Sequence, residues 1–172
     1  MKIFRQPESK IFDETTLVSQ LNNWRNENKN IVFTNGVFDI IHQGHLSLLL
    51  KSASLADVLI MAINSDASVK RLKGPTRPIN NEQSRALMLA SLEVTDAIIL
   101  FEEDTPLKLI ELIKPDIMVK GGDYTTENIV GADFVINNGG QVIIVEIVQG
   151  FSTTATIAKI LSGPSGNKET NR

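Results

Sequence analysis

The chain's two histidines stand three positions apart. They are His42 and His45, in the run Thr34-Asn35-Gly36-Val37-Phe38-Asp39-Ile40-Ile41-His42-Gln43-Gly44-His45. Ile31-Val32-Phe33 before them is apolar and β-branched like a strand, and Leu46, Leu49, Leu50 and Ala53 after them recur at helical spacing. The pair therefore straddles a strand-to-helix turn. There the first N–H groups of the helix lack internal partners and its dipole favours an anion, so phosphate is the expected occupant, with Gly44 allowing close approach to the backbone. Two imidazoles beside a phosphate can donate hydrogen bonds to oxygens that gain charge as a phosphoryl bond breaks, with pyrophosphate leaving, and can carry a proton near neutral pH. The bland alternative makes His42 a turn cap and His45 a helix surface residue.

Three further constellations could act with the first. Asn64-Ser65-Asp66 opens a stretch in which Lys70, Arg71, Lys73 and Arg77 fall within eight positions without an acid. Such a patch can neutralise triphosphate charge and move as a lid, although a charge run alone reads as a solvated helix end. Arg85, on the next helix, is expected to face solvent or pair with Glu82. Val119-Lys120-Gly121-Gly122-Asp123-Tyr124 pairs glycines, which admit a ligand to the backbone, with an acid and an aromatic that can bind and cover a sugar or base. Gln149-Gly150-Phe151-Ser152-Thr153-Thr154 precedes a helix with Ile157, Ile160 and Leu161 on one side. Ser152 reads as its N-cap, and the free N–H groups and hydroxyls there form a second anion cradle.

These segments need a scaffold. Strands are expected at 31–35, 58–64, 97–101, 117–120 and 141–148, most too continuously apolar to face water on either side. Helices are expected at 44–55, 81–92, 106–113 and 127–137. This alternation predicts right-handed βαβ crossovers, and so a doubly wound α/β fold with a five-stranded parallel sheet. Ligands then bind at the carboxyl ends of the strands near the switch point, where the histidine turn begins. Residues 1–29 read as a helical extension, with Asp13 capping a helix that carries Leu17, Leu21 and Trp24 on one face. Residues 30–161 form the main domain. Residues 162–172 have no apolar anchor and are expected to be a disordered tail.

At 172 residues the chain can bury a substantial core. It has no cysteine, which rules out disulfides and thiolate metal sites and agrees with a cytoplasmic setting. A formal net charge of −3 argues against a general role on nucleic acid or at a membrane surface. No apolar run reaches transmembrane length and Met1–Lys10 lacks a signal-peptide core, so a soluble protein is expected.

From about Asn30 to Leu161 the chain resembles the heptose 1-phosphate adenylyltransferases, a family of cytidylyltransferase-like nucleotidyltransferases with a Rossmann-like fold. The matching runs are 34–45, 64–74, Arg77-Pro78, Phe101-Glu102-Glu103-Asp104-Thr105-Pro106, 119–124 and 152–154. The histidine motif and Ser-Thr-Thr are general to the superfamily, whereas Asn-Ser-Asp with Val-Lys-Arg-Leu-Lys-Gly, and Val-Lys-Gly-Gly-Asp-Tyr, discriminate within it. Glycerol-phosphate cytidylyltransferases carry an arginine where this chain has Ile147 and Val148.

The resemblance implies ATP plus a heptose 1-phosphate giving ADP-heptose and pyrophosphate, a step toward surface glycan such as lipopolysaccharide core. It implies His42, His45 and Lys73 as catalytic residues. It places Thr34, Asn35, Gly36, Phe38, Asp39, Gly44, Asn64, Asp66, Arg71, Arg77, Lys120, Gly121, Asp123, Ser152, Thr153 and Thr154 around the nucleotide. Magnesium would ride on the triphosphate, because no carboxylate cluster offers a dedicated cage. In many bacteria this domain is half of a bifunctional kinase–adenylyltransferase. A separate heptose 7-phosphate kinase is therefore expected as pathway partner, and a homo-oligomer is possible. The rivals are a cytidylyltransferase for glycerol 3-phosphate or a similar polyol or amino-alcohol phosphate, and a nucleotide-binding domain without turnover.

Overall fold

A computed structural model describes residues 5–122, 124–146 and 148–163. Asp123, Ile147 and the expected tail from residue 164 onward lie outside the described residues. The strands are β1 (Ile11–Phe12), β2 (Ile31–Gly36), β3 (Val58–Asn64), β4 (Ala97–Phe101), β5 (Ile117–Gly121) and β6 (Gln141–Val145). The helices are α1 (Glu14–Asn26), α2 (Gln43–Ala53), α3 (Asp66–Lys73), α4 (Glu82–Ala90), α5 (Leu107–Ile113), α6 (Ala132–Asn137) and α7 (Thr153–Leu161).

All strand pairs are parallel, in the order β1-β4-β3-β2-β5-β6. The sheet thus has six strands, not the five expected. The additional edge is the two-residue β1, whose Ile11 and Phe12 pair with Ile98 and Ile99. Two residues are too few to show an alternation in sequence, and only the neighbouring strand makes them a strand.

Apolar runs become central strands because both faces are covered. Every residue of β3 is buried. On one face Ile31, Phe33, Ile60, Ala62 and Ile99 pack under Leu17, Leu21 and Trp24 of α1 and Leu109, Ile110 and Ile113 of α5. On the other, Val32, Leu59, Met61, Ile63 and Ile98 pack under Leu49 of α2 and Ala86, Leu89 and Ala90 of α4. Asp13 caps α1 as expected, accepting the Thr16 N–H at 2.7 Å. Further aspartates secure strand entrances: Asp116 accepts from Ile31 N and Asp96 from Leu59 N. The edge strand β6 stays only partly covered and ends at Val145, three residues before the expected boundary.

Lys70, Arg71 and Lys73 of the cationic stretch lie in the last turn of helix α3, which is capped by Ser65 and ends at Gly74 with φ 96°, in keeping with the helix-end reading, while Arg77 lies beyond it. The expected helix 127–137 is a short 3₁₀ turn at Thr126–Asn128 followed by the six-residue α6. Gly131, at φ 85°, separates them in a conformation that favours glycine.

Candidate functional site

The chain leaves β2 into a strained turn. Phe38 and Ile40 both stand at φ 51°, the left-handed region that a β-branched residue rarely adopts. The surrounding structure holds them there through the buried Asp39 between them. Its carboxylate accepts from Arg77 Nε at 3.0 Å, Ile79 N at 2.8 Å and Asn80 N at 3.0 Å, and its backbone carbonyl accepts from Thr153 Oγ1 at 2.7 Å. These bonds keep its carboxyl below the usual carboxylate range even though burial opposes ionisation.

The turn delivers His42 to the N-cap of α2, where its Nδ1 accepts the His45 N–H at 3.4 Å. In the neutral ring that bond leaves the hydrogen on Nε2, so His42 presents a donor. The two imidazoles stack with centroids 3.8 Å apart, and the Phe38 ring tilts against His45 at 5.3 Å. Burial lowers the His42 pKa; burial, aided by the neighbouring His42, lowers that of His45 to about 4. Both rings are therefore neutral donors at pH 7 before an anion arrives.

Gly44 lies under the His42 ring, where a Cβ would stand 3.1 Å from Cε1 and Nδ1 and 3.6 Å from Phe151 Cβ. The nearness of Phe151 to Gly44 and the Thr153 bond to Asp39 place the start of α7 beside the start of α2. The Gln43 and Gly44 N–H groups have no partner among the described residues, and at α7 the Ser152 hydroxyl accepts only from Ala155 N. The two expected anion cradles converge. Among the described residues two buried side-chain polar atoms lack a partner, Thr34 Oγ1 and His45 Nδ1. Thr34 shares strand parity with Val32, so it faces the α2 layer, as His45 does. Unpaired buried polar atoms are costly in a finished core, and at a ligand site they are groups awaiting a partner.

Other expected site residues have structural occupations. Arg77 is paired with Asp39, and Asp66 Oδ1 accepts from Arg85 at 2.8 Å. Arg71 meets Asp104 at 2.9 Å and the Glu102 carbonyl, anchoring α3 to the segment after β4. Asn64 is buried and donates to Ser68 Oγ. Gly36 and Gly121 give room to the Phe38 ring and the Leu48 side chain. Lys73 and Thr154 are exposed and carry no hydrogen bond or ion pair among the described residues. Asn35 and Lys120 meet on the opposite face of the sheet, Lys120 Nζ donating to Asn35 Oδ1 at 2.5 Å.

The residue that sequence reasoning undervalued is Arg85. Far from facing solvent or pairing with Glu82, it is fully buried. It donates to Asn80 O at 3.0 Å, Val37 O at 2.7 Å, Asn64 O at 2.8 Å and Asp66 Oδ1. One guanidinium thus ties together the ends of β2 and β3 and the start of α3. Its signal was position: it lies four residues before Leu89, on the buried face of α4.

Fold and site together define a Rossmann-like domain that brings two helix N-termini, those of α2 and α7, together at the carboxyl end of a parallel sheet. The chain belongs to the cytidylyltransferase-like family, whose model matches residues 33–158. It is 51% identical over 153 residues to the bifunctional protein HldE of Mesorhizobium japonicum, covering 89% of this chain and 31% of that one. Against HldE of Caulobacter vibrioides it is 49% identical over 155 residues, 90% of this chain and 32% of that one. The chain thus spans about a third of the length of these relatives. A solved lipopolysaccharide core biosynthesis protein from Thermoplasma volcanium superposes with a TM-score of 0.56 at 34% identity, covering 70% of this chain and 97% of the other. A pantoate–β-alanine ligase from Francisella tularensis, at 20% identity, a TM-score of 0.52 and coverage of 79% of this chain and 66% of its own, shares the fold. No helix among the described residues is long and apolar enough to cross a membrane.

Proposed function

We propose that the protein transfers AMP from ATP to D-glycero-D-manno-heptose 1-phosphate, giving ADP-heptose and pyrophosphate for lipopolysaccharide core or a related glycan. The observation that carries the phosphate chemistry is the stacked, neutral His42–His45 pair at the N-terminus of α2, facing the start of α7. The sugar and the base rest on the similarity to the HldE proteins and on the two discriminating motifs around Asn64–Gly74 and Val119–Tyr124.

An oxygen of the already ionised sugar phosphate attacks the α-phosphorus in line. The bond from that phosphorus to the β-phosphate bridging oxygen breaks, and pyrophosphate leaves with the electron pair. No covalent enzyme intermediate is needed, so the protein's work is to position the reactants and stabilise charge. His42 and His45 donate to the triphosphate, and each becomes easier to protonate as negative charge arrives beside it. Thr34 and the N–H groups of Gln43 and Gly44 lie on the same side. Among the cations in and after α3, Lys70 and Lys73 have no acid partner among the described residues, whereas Arg71 and Arg77 are held by acids, and Lys73, at the end of α3, is the one assigned to the phosphates. Asp39 has its carboxylate taken by Arg77, Ile79 and Asn80, so a magnesium ion would be held by phosphate oxygens rather than by this residue. In this reading Ser152, Thr153 and Thr154 complete the nucleotide side, the reaction is cytoplasmic, and a kinase step supplies the sugar phosphate.

Initial rates of pyrophosphate release with ATP, CTP, GTP and UTP, each against heptose 1-phosphate and glycerol 3-phosphate, test the proposal. ATP with the heptose phosphate is expected to exceed every other pair clearly, because a site built for one base edge leaves buried groups unpaired with another. Preference for CTP with glycerol 3-phosphate would overturn the substrate assignment.

A further inference from the structure

On the sheet face opposite the histidines, a cavity of about 200 Å³ opens at the ends of β2, β3, β4 and β5. Strand parity places it there: Asn35, Asn64 and Lys120 follow Phe33, Ala62 and Met118, which pack on the α1 and α5 side. Its polar lining includes Asn35, Asn64, Asp104, Lys120, Tyr124 and Asn128. Asp104 is turned to Arg71, which leaves Lys120 as the one unneutralised charge among the described lining residues.

We propose that this cavity seats the acceptor, a sugar phosphate, and that Lys120 is the cation that holds its phosphate across the sheet from the histidine turn. The inference rests on the adenylyl-transfer reading above and moves Lys120 from the nucleotide to the acceptor. Four observations support it. Drug-sized ligands fill pockets of roughly 300–1,000 Å³, so this smaller space suits a sugar phosphate better than a whole nucleotide. Amides and a phenol around a single cation match a ligand with many hydroxyls and one anionic end. Lys120 uses one of its three donors, on the neutral Asn35, and has no carboxylate partner among the described residues. Burial accordingly lowers its pKa to about 8, a cost that a phosphate would relieve.

The fourth observation is the route. Backbone pairing between β2 and β5 stops at Phe33 and Met118, so the strands part where the sheet order reverses. The Lys120–Asn35 bond bridges that gap. An acceptor phosphate at Lys120 thus lies at the switch-point crevice, on whose other side the α2 turn holds the triphosphate.

Lys120→Met, which keeps the apolar stem, and Lys120→Arg, which keeps the charge, provide the test. Lys120→Met is expected to raise KM for heptose 1-phosphate at least about tenfold, the loss of one charge-assisted hydrogen bond, while ATP affinity measured by calorimetry stays within about twofold. Lys120→Arg should recover part of that loss. In the wild-type protein, inorganic phosphate should shift the Lys120 side-chain nitrogen resonance. Loss of ATP affinity with an unchanged acceptor KM would overturn the assignment. So would an unmoved Lys120 resonance, which decides the matter even if Lys120→Met fails to fold. A wild-type protein that releases no pyrophosphate with ATP and heptose 1-phosphate refutes adenylyl transfer, and the phosphate titration then judges the anion seat by itself.

Discussion

Removing Arg85 should be the most damaging single substitution outside the histidine turn. Arg85→Met preserves the stem and deletes a guanidinium that donates to three carbonyls and one carboxylate. Each acceptor left buried and unpaired costs about 1–3 kcal/mol, and the carbonyls of Val37, Asn64 and Asn80 all lose this donor. Asp66 is less costly because its side chain is 28% exposed and water can reach it. Against these losses stands the desolvation of the guanidinium itself, no longer required. The net matches the about 3–5 kcal/mol found when one member of a buried ion pair is removed. For a domain of this size that is a large share of the roughly 5–15 kcal/mol that holds it folded, and corresponds to a Tm drop of roughly 6–20 °C. Trp24, the chain's one tryptophan, is buried on the opposite face of the sheet. Its fluorescence during urea unfolding therefore reports global rather than local loss. Arg85→Lys should recover less than half of the deficit, since one ammonium cannot reproduce the fork. A Met variant within about 1 kcal/mol of wild type, at unchanged m-value, would refute the idea that this arginine clamps the strand ends.

The histidines yield the remaining expectations. His45→Ala should lower pyrophosphate release by about a hundredfold, the loss of one charge-stabilising donor, with melting little changed; near wild-type turnover would make the ring structural. Because the folded His45 pKa lies near 4 and the unfolded value near 6.5, the native state binds fewer protons between them. Stability is therefore fully present above about pH 6.5 and declines as pH falls toward 4, by an upper limit of about 3 kcal/mol that solvent screening reduces. Proton NMR of the ring checks the sign, and a free-protein pKa at or above 6.5 contradicts it. Gly44→Ala should push the His42 ring from its cap, costing about 1 kcal/mol of stability together with activity. Equal rates for that variant and wild type would show that the ring's placement is unimportant.

The sequence alone determined the elements with a strong period and the turns with distinctive chemistry. The all-buried β3, the apolar face of α1, the Asp13 and Ser152 caps and the histidine turn at the end of β2 are all local, because side-chain period and capping act within a few residues, whereas on α2 the expected face of Leu46, Leu49, Leu50 and Ala53 leaves Leu46 and Leu50 exposed. The convergence of the α2 and α7 starts was legible only as two cradles on one sheet edge; the Thr153–Asp39 bond that joins them links residues far apart in the chain. Tertiary structure alone decided what each charge does. Arg71, Arg77 and Asp66 look like ligand-binding groups in sequence, yet Asp104, Asp39 and Arg85 engage them, because a carboxylate's partner is whichever cation the fold brings within hydrogen-bond distance. The same holds for β1, two residues that become a strand only beside β4, and for Lys120, whose face of the sheet follows from strand parity and whose partner lies across the switch point. Period and capping are short-range properties that a sequence displays directly, whereas burial and charge pairing depend on neighbours that only the folded chain supplies.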